Sequence, residues 1–371
     1  MSTRTADVVI IGGGIHGCST ALHLALRGLK PILIEKDYAG RHASGVNAGG
    51  VRQLARDLQE IPLSIASMEI WEHIEELVGD DCGFSSHGTV LVAESDEELA
   101  GFRARVDDLR LKGFMHEELI NRAELKRLVP AVSDHCPGGV VSRRDGAADP
   151  FRTTQAFRRR AIEKGAEIHE GVTVTGLSRV GAVWRVEPSD GAFEAPKVVN
   201  AAGAWADRIA ALLGEPVPLT VVAPMLMVTS PVPPFIEPVV ILRGRKLSFK
   251  QRENGTVVIG GGHLATPYRD RNETVIDWAK LAISARTVWE LFPIMRQATI
   301  VRAWAGIEAY MADGVPVVGP SSTSEGVFHQ FGFSTHGFQL GPATGAVMAE
   351  LVATGATNTP LDGLEIGRFR K

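Results

Sequence analysis

The sequence predicts an α/β protein in which a doubly wound, largely parallel domain is joined to a mixed, largely antiparallel one. Three observations predict it. A β-branched run, Val8-Val9-Ile10-Ile11, leads directly into Gly12-Gly13-Gly14-Ile15-His16-Gly17 and a helical pattern. A second apolar run, Pro31-Ile32-Leu33-Ile34, ends in Glu35, 18 residues beyond the last of those glycines. From Pro216 to Ile307 the pattern changes to alternating strands mixed with prolines and one helix.

In chain order, the first helix is expected over Ile15–Arg27, with Gly28 as its natural stop. Gly12 allows the tight turn before it, Gly14 lets a pyrophosphate approach the backbone, and Gly17 lets helix and strand pack closely. The helix start supplies free N–H groups, and a carboxylate at the tip of the second strand suits the two hydroxyls of an adenosine ribose. The motif by itself does not separate FAD from NAD. Helical periodicity follows over Ile61–Val78 and Asp96–Lys112, with a strand at Gly88–Val92 between them. Asp149-Pro150 opens a helix that ends near Lys164-Gly165, followed by strands at Ala166–His169, Val172–Leu177 and Val198–Ala202. In the second domain, strands are expected at Lys246–Gln251 and Thr256–Gly260 and a helix at Ile276–Leu291. After Gly314 come short strands, Val315–Gly319 and Gly326–Phe331, and a closing helix over Gly341–Ala353. The first domain is therefore expected from three segments, 1–85, 146–215 and 315–371, and the second from 86–145 and 216–314.

At 371 residues, with 44% hydrophobic and 22% charged residues, the chain has an ordinary globular composition. A net charge of −4 gives no basis for nucleic acid or an anionic membrane as partner. Cys18, Cys82 and Cys136 lie far apart, which argues against a disulfide framework or a metal site and fits a reducing compartment. The polar start, Met1–Asp7, lacks a signal-peptide pattern, so a cytoplasmic location is expected. The charge-free stretches Pro216–Ile236 and Gly326–Ala349 are broken by prolines, glycines and histidines, so no integral membrane segment is expected.

Four later segments add to the glycine motif: Ser44-Gly45-Val46-Asn47-Ala48-Gly49-Gly50-Val51-Arg52, Asn200-Ala201-Ala202-Gly203-Ala204-Trp205, Asp313–Gly319, and Ser334-Thr335-His336-Gly337-Phe338-Gln339-Leu340-Gly341-Pro342. Through these segments, in this order, nearly the whole chain resembles the D-amino-acid oxidase family of flavoenzymes, which includes glycine oxidase and monomeric sarcosine oxidase. The resemblance implies a Rossmann-like domain holding extended FAD. It implies oxidation of an amino acid C–N bond by hydride transfer to flavin N5, imine hydrolysis, and reoxidation by O2 to give H2O2 or by another acceptor. It assigns cofactor contacts to Gly12, Gly14, Ile15, His16, Gly17, Glu35 and Lys36. To these it adds Ser44, Asn47, Ala48, Gly49 and Gly50, then Ala202, Gly203, Trp205 and Gly306, and finally His336, Gly337, Phe338, Gln339 and Leu340. Val174 is where the family contacts adenine through main chain, an ordinary strand valine being the other reading. Ser44–Gly50 is expected as a small-residue loop beside a flat ring, although a surface loop would have the same composition. Thr335–Leu340 is expected to precede the closing helix, whose N–H groups would stabilise negative charge on reduced flavin.

The substrate pocket departs from the family. Where many members carry arginine in a G-[LI]-R-P motif, this chain has Gly306-Ile307-Glu308, so the usual carboxylate anchor is replaced by an acid. Glu308 either draws a substrate amino group or another cation, or is a surface glutamate. Arg52 is the candidate carboxylate anchor, since a planar guanidinium grips a carboxylate with two hydrogen bonds. A salt bridge or a flavin-edge contact is its alternative. Arg56, Arg243 and Lys250 stand behind it, Lys250 also suiting a solvated strand position. His336 and Gln339 complete the candidate catalytic set, Gln339 as a hydrogen-bonding substitute for a lysine of some relatives. Ile307–Ala312 lacks the cysteine that attaches flavin in several relatives, so noncovalent FAD is expected. The expected substrate is an amino or imino acid, favouring secondary amines such as sarcosine, iminodiacetate or a cyclic imino acid. A dehydrogenase of amino or 2-hydroxy acids, passing electrons to a quinone or a partner subunit, is the alternative, and a homo- or hetero-oligomer is compatible with either.

Overall fold

The computed structural model describes residues 3–188 and 191–370. Val8–Ile11 is buried on both faces, which is why it reads as an uninterrupted β-branched run. It pairs in parallel with Pro31–Ile34 on one side and Lys197–Asn200 on the other. The complete six-stranded order is Val317–Pro320, Val327–Phe331, Lys197–Asn200, Val8–Ile11, Pro31–Ile34 and Glu167–His169, with only the first of these antiparallel to its neighbour.

The alternation within these strands sets two layers. Val8, Ile10, Leu33 and Val199 pack with the first helix (Ile15–Leu26), the helix Pro150–Glu163 and the C-terminal helix (Gly337–Thr354). Val9, Ile11, Ile32 and Val198 face a four-stranded sheet built from Thr3–Thr5, Ala192–Ala195, Val183–Pro188 and Val174–Val180. The first and last helices meet through small residues: a Cβ on Gly345 would lie 2.1 Å from Ser19 Oγ, and one on Gly341 2.6 Å from Ile15.

The second large sheet has eleven strands drawn from 89–142 and 219–311. Its core includes Val90, Val240, Phe249 and Phe292, the two phenylalanine rings stacking at 4.5 Å. Leu219–Thr229 runs through Pro224 because it changes partner there, pairing Leu219–Val222 with Glu308–Met311 and Met225–Thr229 with Ile300–Ala305. Cys18, Cys82 and Cys136 are buried free thiols. No helix among the described residues is long and apolar enough to cross a membrane.

Several expected elements are corrected. Ile61–Val78 is two helices, Ile61–Glu72 and Ile74–Val78, broken where His73 leaves helical geometry at φ −118°. Met68, Trp71, Ile74 and Val78 all enter the same core, so the apolar stripe crosses the break and conceals it. The C-terminal helix starts at Gly337 rather than Gly341, with Pro342 inside it. Gly337–Leu340 is therefore the first helical turn, not a loop before the helix. Ser44–Gly50 likewise contains part of a helical turn, Ala43–Val46, before a short strand at Gly50–Val51. The strand expected at Val172–Leu177 lies at Val174–Val180.

Candidate cofactor and substrate cavity

A cavity of about 860 Å³ opens between the two large sheets. One part of its wall is the glycine turn. Gly12 has φ +111°, and a Cβ there would lie 2.4 Å from Ala201 O. A Cβ on Gly14 would lie 2.9 Å from Ser44 Oγ, which accepts the Ile15 N–H at 2.9 Å. Gly12 and Gly14 thus bring backbone without side chains to the cavity wall at the start of the first helix. Glu35 sits at the strand tip, its carboxylate fixed by the N–H groups of Gly13 (2.6 Å) and Asp37 (2.9 Å). Burial pushes this carboxyl up, against those two hydrogen bonds. A bare turn, a helix start and an anchored acid fit a dinucleotide carrying a pyrophosphate and a ribose diol.

Ile15, His16, Lys36, Ser44, Asn47, Ala48, Gly50, Val174, Ala202, Gly203, Trp205 and Gly306 all line this cavity. Lys36 lies 3.9 Å over the Trp205 ring. His16 stacks on Phe333 at 3.7 Å, and burial lowers its imidazole to about 3. Gly17 and Gly49 do not line it but shape its wall. A Cβ on Gly17 would meet Gly12 O at 1.9 Å, and one on Gly49 Ala148 O at 2.2 Å. Gly306 packs so closely on Val46 that a Cβ would lie 2.4 Å from its methyl group.

At the C-terminal helix, His336, Gly337 and Phe338 line the cavity. Gln339 and Leu340 do not. Gln339 is fully buried between this helix and Ile61–Glu72, with Oε1 accepting from Ser64 Oγ (3.0 Å) and Arg56 (3.3 Å) and Nε2 donating to Ser64 O. It is a packing amide, not a substrate contact. Leu340 is likewise a core side chain. Both belong to the first helical turn rather than to a loop, and they are held by packing on Ile61–Glu72 and in the core.

Arg52, Arg56 and Arg243 line the cavity together. Arg52 and Arg56 belong to a loop fixed by two buried carboxylates to which no motif in the sequence points. Asp145 accepts the N–H groups of Gln53 and Leu54 and the Ser142 hydroxyl, and burial brings its carboxyl to about 6. Glu117 accepts the N–H of Ala55, which has φ +59°, and pairs with Arg105. These acids lie 62 or more residues from the loop they hold, so no local spacing reveals them. Lys250 is neither solvated nor on the cavity: it is 3% exposed, its Nζ has no partner among the described residues, and burial lowers its pKa strongly. His263 and Tyr268 also lie outside the cavity lining.

Glu308 opens the strand Glu308–Met311 and lines the cavity. One carboxylate oxygen accepts the Thr335 N–H at 2.6 Å. Ser334 and Thr335 both have positive φ, at +49° and +71°, and this strained turn aims that N–H. No cation among the described residues pairs with Glu308, and burial brings its carboxyl to about 7. Beside it, Tyr310 is pushed to about 12 by burial and by the Glu308 charge.

Asp57, Glu60 and His336 bring ligand atoms within 4.8 Å of one another. Hydrogen bonds already account for them. Asp57 and Glu60 form a reciprocal capping box, and the Glu60 carboxylate receives His336 Nδ1 at 2.8 Å. The D-x-x-E spacing of Asp57 and Glu60 is the signal that would have found this pair.

Comparison with known proteins agrees with this cavity. The beta subunit of sarcosine oxidase from Rhodobacter capsulatus is 27% identical over 360 residues, covering 94% of this chain and 85% of that one. An opine oxidase subunit of Rhizobium meliloti is 24% identical, covering 98% and 97%. The L-proline dehydrogenase of P. horikoshii superposes with a TM-score of 0.92 at 28% identity, covering 99% and 98%. The model of the family described as FAD dependent oxidoreductase matches residues 7–351, and the chain belongs to that family as an FAD-dependent oxidoreductase.

Proposed function

We propose that this flavoenzyme oxidises the C–N bond of a small secondary amino or imino acid, binding it between Arg52 and Glu308. The observation that carries the reading is Glu308, a half-buried carboxyl facing the cavity with no counter-cation among the described residues. A charge partly withdrawn from water gains from pairing, so the ionised form favours a cationic group from the ligand. A substrate ammonium supplies it. Arg52 and Arg56 offer the guanidinium groups for the substrate carboxylate. An amine must be neutral before the neighbouring carbon can lose hydride, and a carboxylate near 7 on this wall takes up that proton. Bound FAD supplies the hydride acceptor and is held noncovalently, since Ile307–Ala312 contains no cysteine. Sarcosine and proline, named for two of the relatives, are both secondary amines with an α-carboxylate, which supports the substrate class. Two relatives are named as subunits, which supports a hetero-oligomer and an electron acceptor other than O2 as the second possibility.

Anaerobic mixing with sarcosine, L-proline, iminodiacetate, glycine and lactate tests the reading by loss of flavin absorbance. Bleaching by the secondary amines ahead of glycine and lactate is expected. Arg52→Ala should raise the half-saturating concentration at least tenfold with unchanged FAD content, the loss of a charge-assisted pair of about 1.5–3 kcal/mol. Bleaching by lactate alone would move the enzyme to 2-hydroxy acids.

A further inference from the structure

We propose that Glu60 fixes His336 as the Nδ1–H tautomer, so that Nε2 accepts the single N–H of a neutral secondary amine and the cavity selects against tertiary amines. The inference rests on the amine reading of the cavity and specifies its selectivity.

The geometry begins behind the cavity wall. Glu60 is fully buried and its carboxylate is held by the capping box with Asp57. His336 is the residue before the C-terminal helix, and its Nδ1 lies 2.8 and 3.0 Å from the two Glu60 oxygens. Burial alone would raise the Glu60 carboxyl, but the contact with His336 and the nearby Arg56 bring it below its ordinary value. An ionised carboxylate only accepts hydrogen bonds, so Nδ1 carries the hydrogen. Burial and the adjacent Arg56 and Arg52 lower the imidazole to about 4, outweighing Glu60. The ring is therefore neutral at neutral pH, and its other nitrogen is a lone-pair acceptor. No group among the described residues hydrogen-bonds Nε2, and the ring lines the cavity. The tautomer is set by the hydrogen bond on the far side of the ring.

Glu308 reaches the same wall, because its carboxylate is bonded to Thr335, the residue before His336. A secondary ammonium drawn to Glu308 has two N–H bonds. After it gives up one proton, a single N–H remains. Bonding of that N–H to Nε2 fixes the direction of the nitrogen lone pair, which must align with the C–H bond that breaks. A neutral N,N-dialkylamine has no N–H and leaves Nε2 unpaired. Sites built to bond a substrate N–H discriminate strongly against analogues lacking it.

The test uses the FAD-loaded protein labelled with 15N-histidine. Long-range 1H–15N spectra, with the His336 signals assigned by their absence in His336→Gln, should show the proton on Nδ1 in the wild type. Glu60→Gln, whose amide can donate or accept, should populate the other tautomer. Anaerobic reduction should favour sarcosine over N,N-dimethylglycine, and Glu60→Gln should lower that preference about tenfold through the limiting rate rather than half-saturation. Glu60→Asp, which keeps the acceptor, should retain part of the preference. If Glu60→Gln does not fold with FAD, the wild-type spectrum and the His336→Gln selectivity still decide. A proton on Nε2 in the wild type overturns the proposal whatever the substrate is, and so does equal reduction by the two amines. Bleaching by no amine, with the Nδ1–H tautomer present, overturns the amine reading itself and the selectivity with it.

Discussion

At the scale of single residues, the proposed chemistry turns on groups withdrawn from water without a charged partner. Glu308 is the clearest. Nothing in Gly306-Ile307-Glu308 distinguishes a pocket acid from a surface acid, because that difference depends on the strained Ser334–Thr335 turn arriving from 27 residues away. Its raised carboxyl has two consequences of opposite sign. Folding favours the protonated form, so the Glu308 contribution to stability is present below its ordinary value of 4.5 and is lost as pH rises through about 7. Binding of a substrate cation needs the ionised form and should strengthen over the same interval. We expect the half-saturating substrate concentration to fall as pH rises through about 7, and Glu308→Gln to flatten this limb while slightly stabilising the protein at pH 8. A pH series of anaerobic titrations on both proteins checks this; an identical limb in the variant would assign the titration to another group. Gln339 teaches the reverse lesson. Its place in a matching motif points to a substrate contact, but a one-turn change in where the helix begins turns it into the core.

At the scale of elements, the strands are the more legible part. Val8–Ile11 and Pro31–Ile34 read correctly because a doubly covered parallel strand has to be apolar along its whole length. Val183–Pro188 is legible in the alternation of Trp184, Arg185, Val186 and Glu187, which their burial follows, whereas the four-residue Ala192–Ala195 is too short to show a period. Buried polar pairs between elements are equally invisible. His329 on Val327–Phe331 bonds Glu215 at 3.0 Å, and both are buried. Burial would raise the Glu215 carboxyl, but hydrogen bonds from His329, Ser321 and Ser322 bring it to about 2. A depressed carboxyl contributes stability that is present above its ordinary 4.5 and is lost as pH falls through about 2. The thermal midpoint should therefore fall as pH drops below about 4.5, and Glu215→Gln should have a lower midpoint at pH 7 with a shallower acid decline. Parallel acid declines in the two proteins would remove Glu215 from the account.

For the whole molecule, one cavity joins the glycine turn, the Arg52 loop, Glu308 and the start of the C-terminal helix, from segments more than 300 residues apart. FAD binding there should depend on the Glu35 carboxylate, and no covalent attachment is expected. Acid precipitation is expected to leave the yellow colour in the supernatant. Glu35→Ala should weaken FAD binding by about 1.5–3 kcal/mol, read as a rise in dissociation constant by flavin fluorescence, with reduction kinetics changed little once loaded. Colour retained in the pellet would show covalent attachment, and unchanged affinity would remove Glu35 from the ribose. The dinucleotide fold and its glycine–acid site were determined by the sequence itself, because a turn, a helix start and a strand tip lie within 28 residues and their geometry follows from local sterics. The substrate side was decided only by tertiary structure. Whether Arg52, Glu308, Gln339 or Lys250 meets a ligand depends on which distant acid, strained turn or helix start lies against it, and burial and charge pairing are properties of the assembled surface rather than of any stretch of chain.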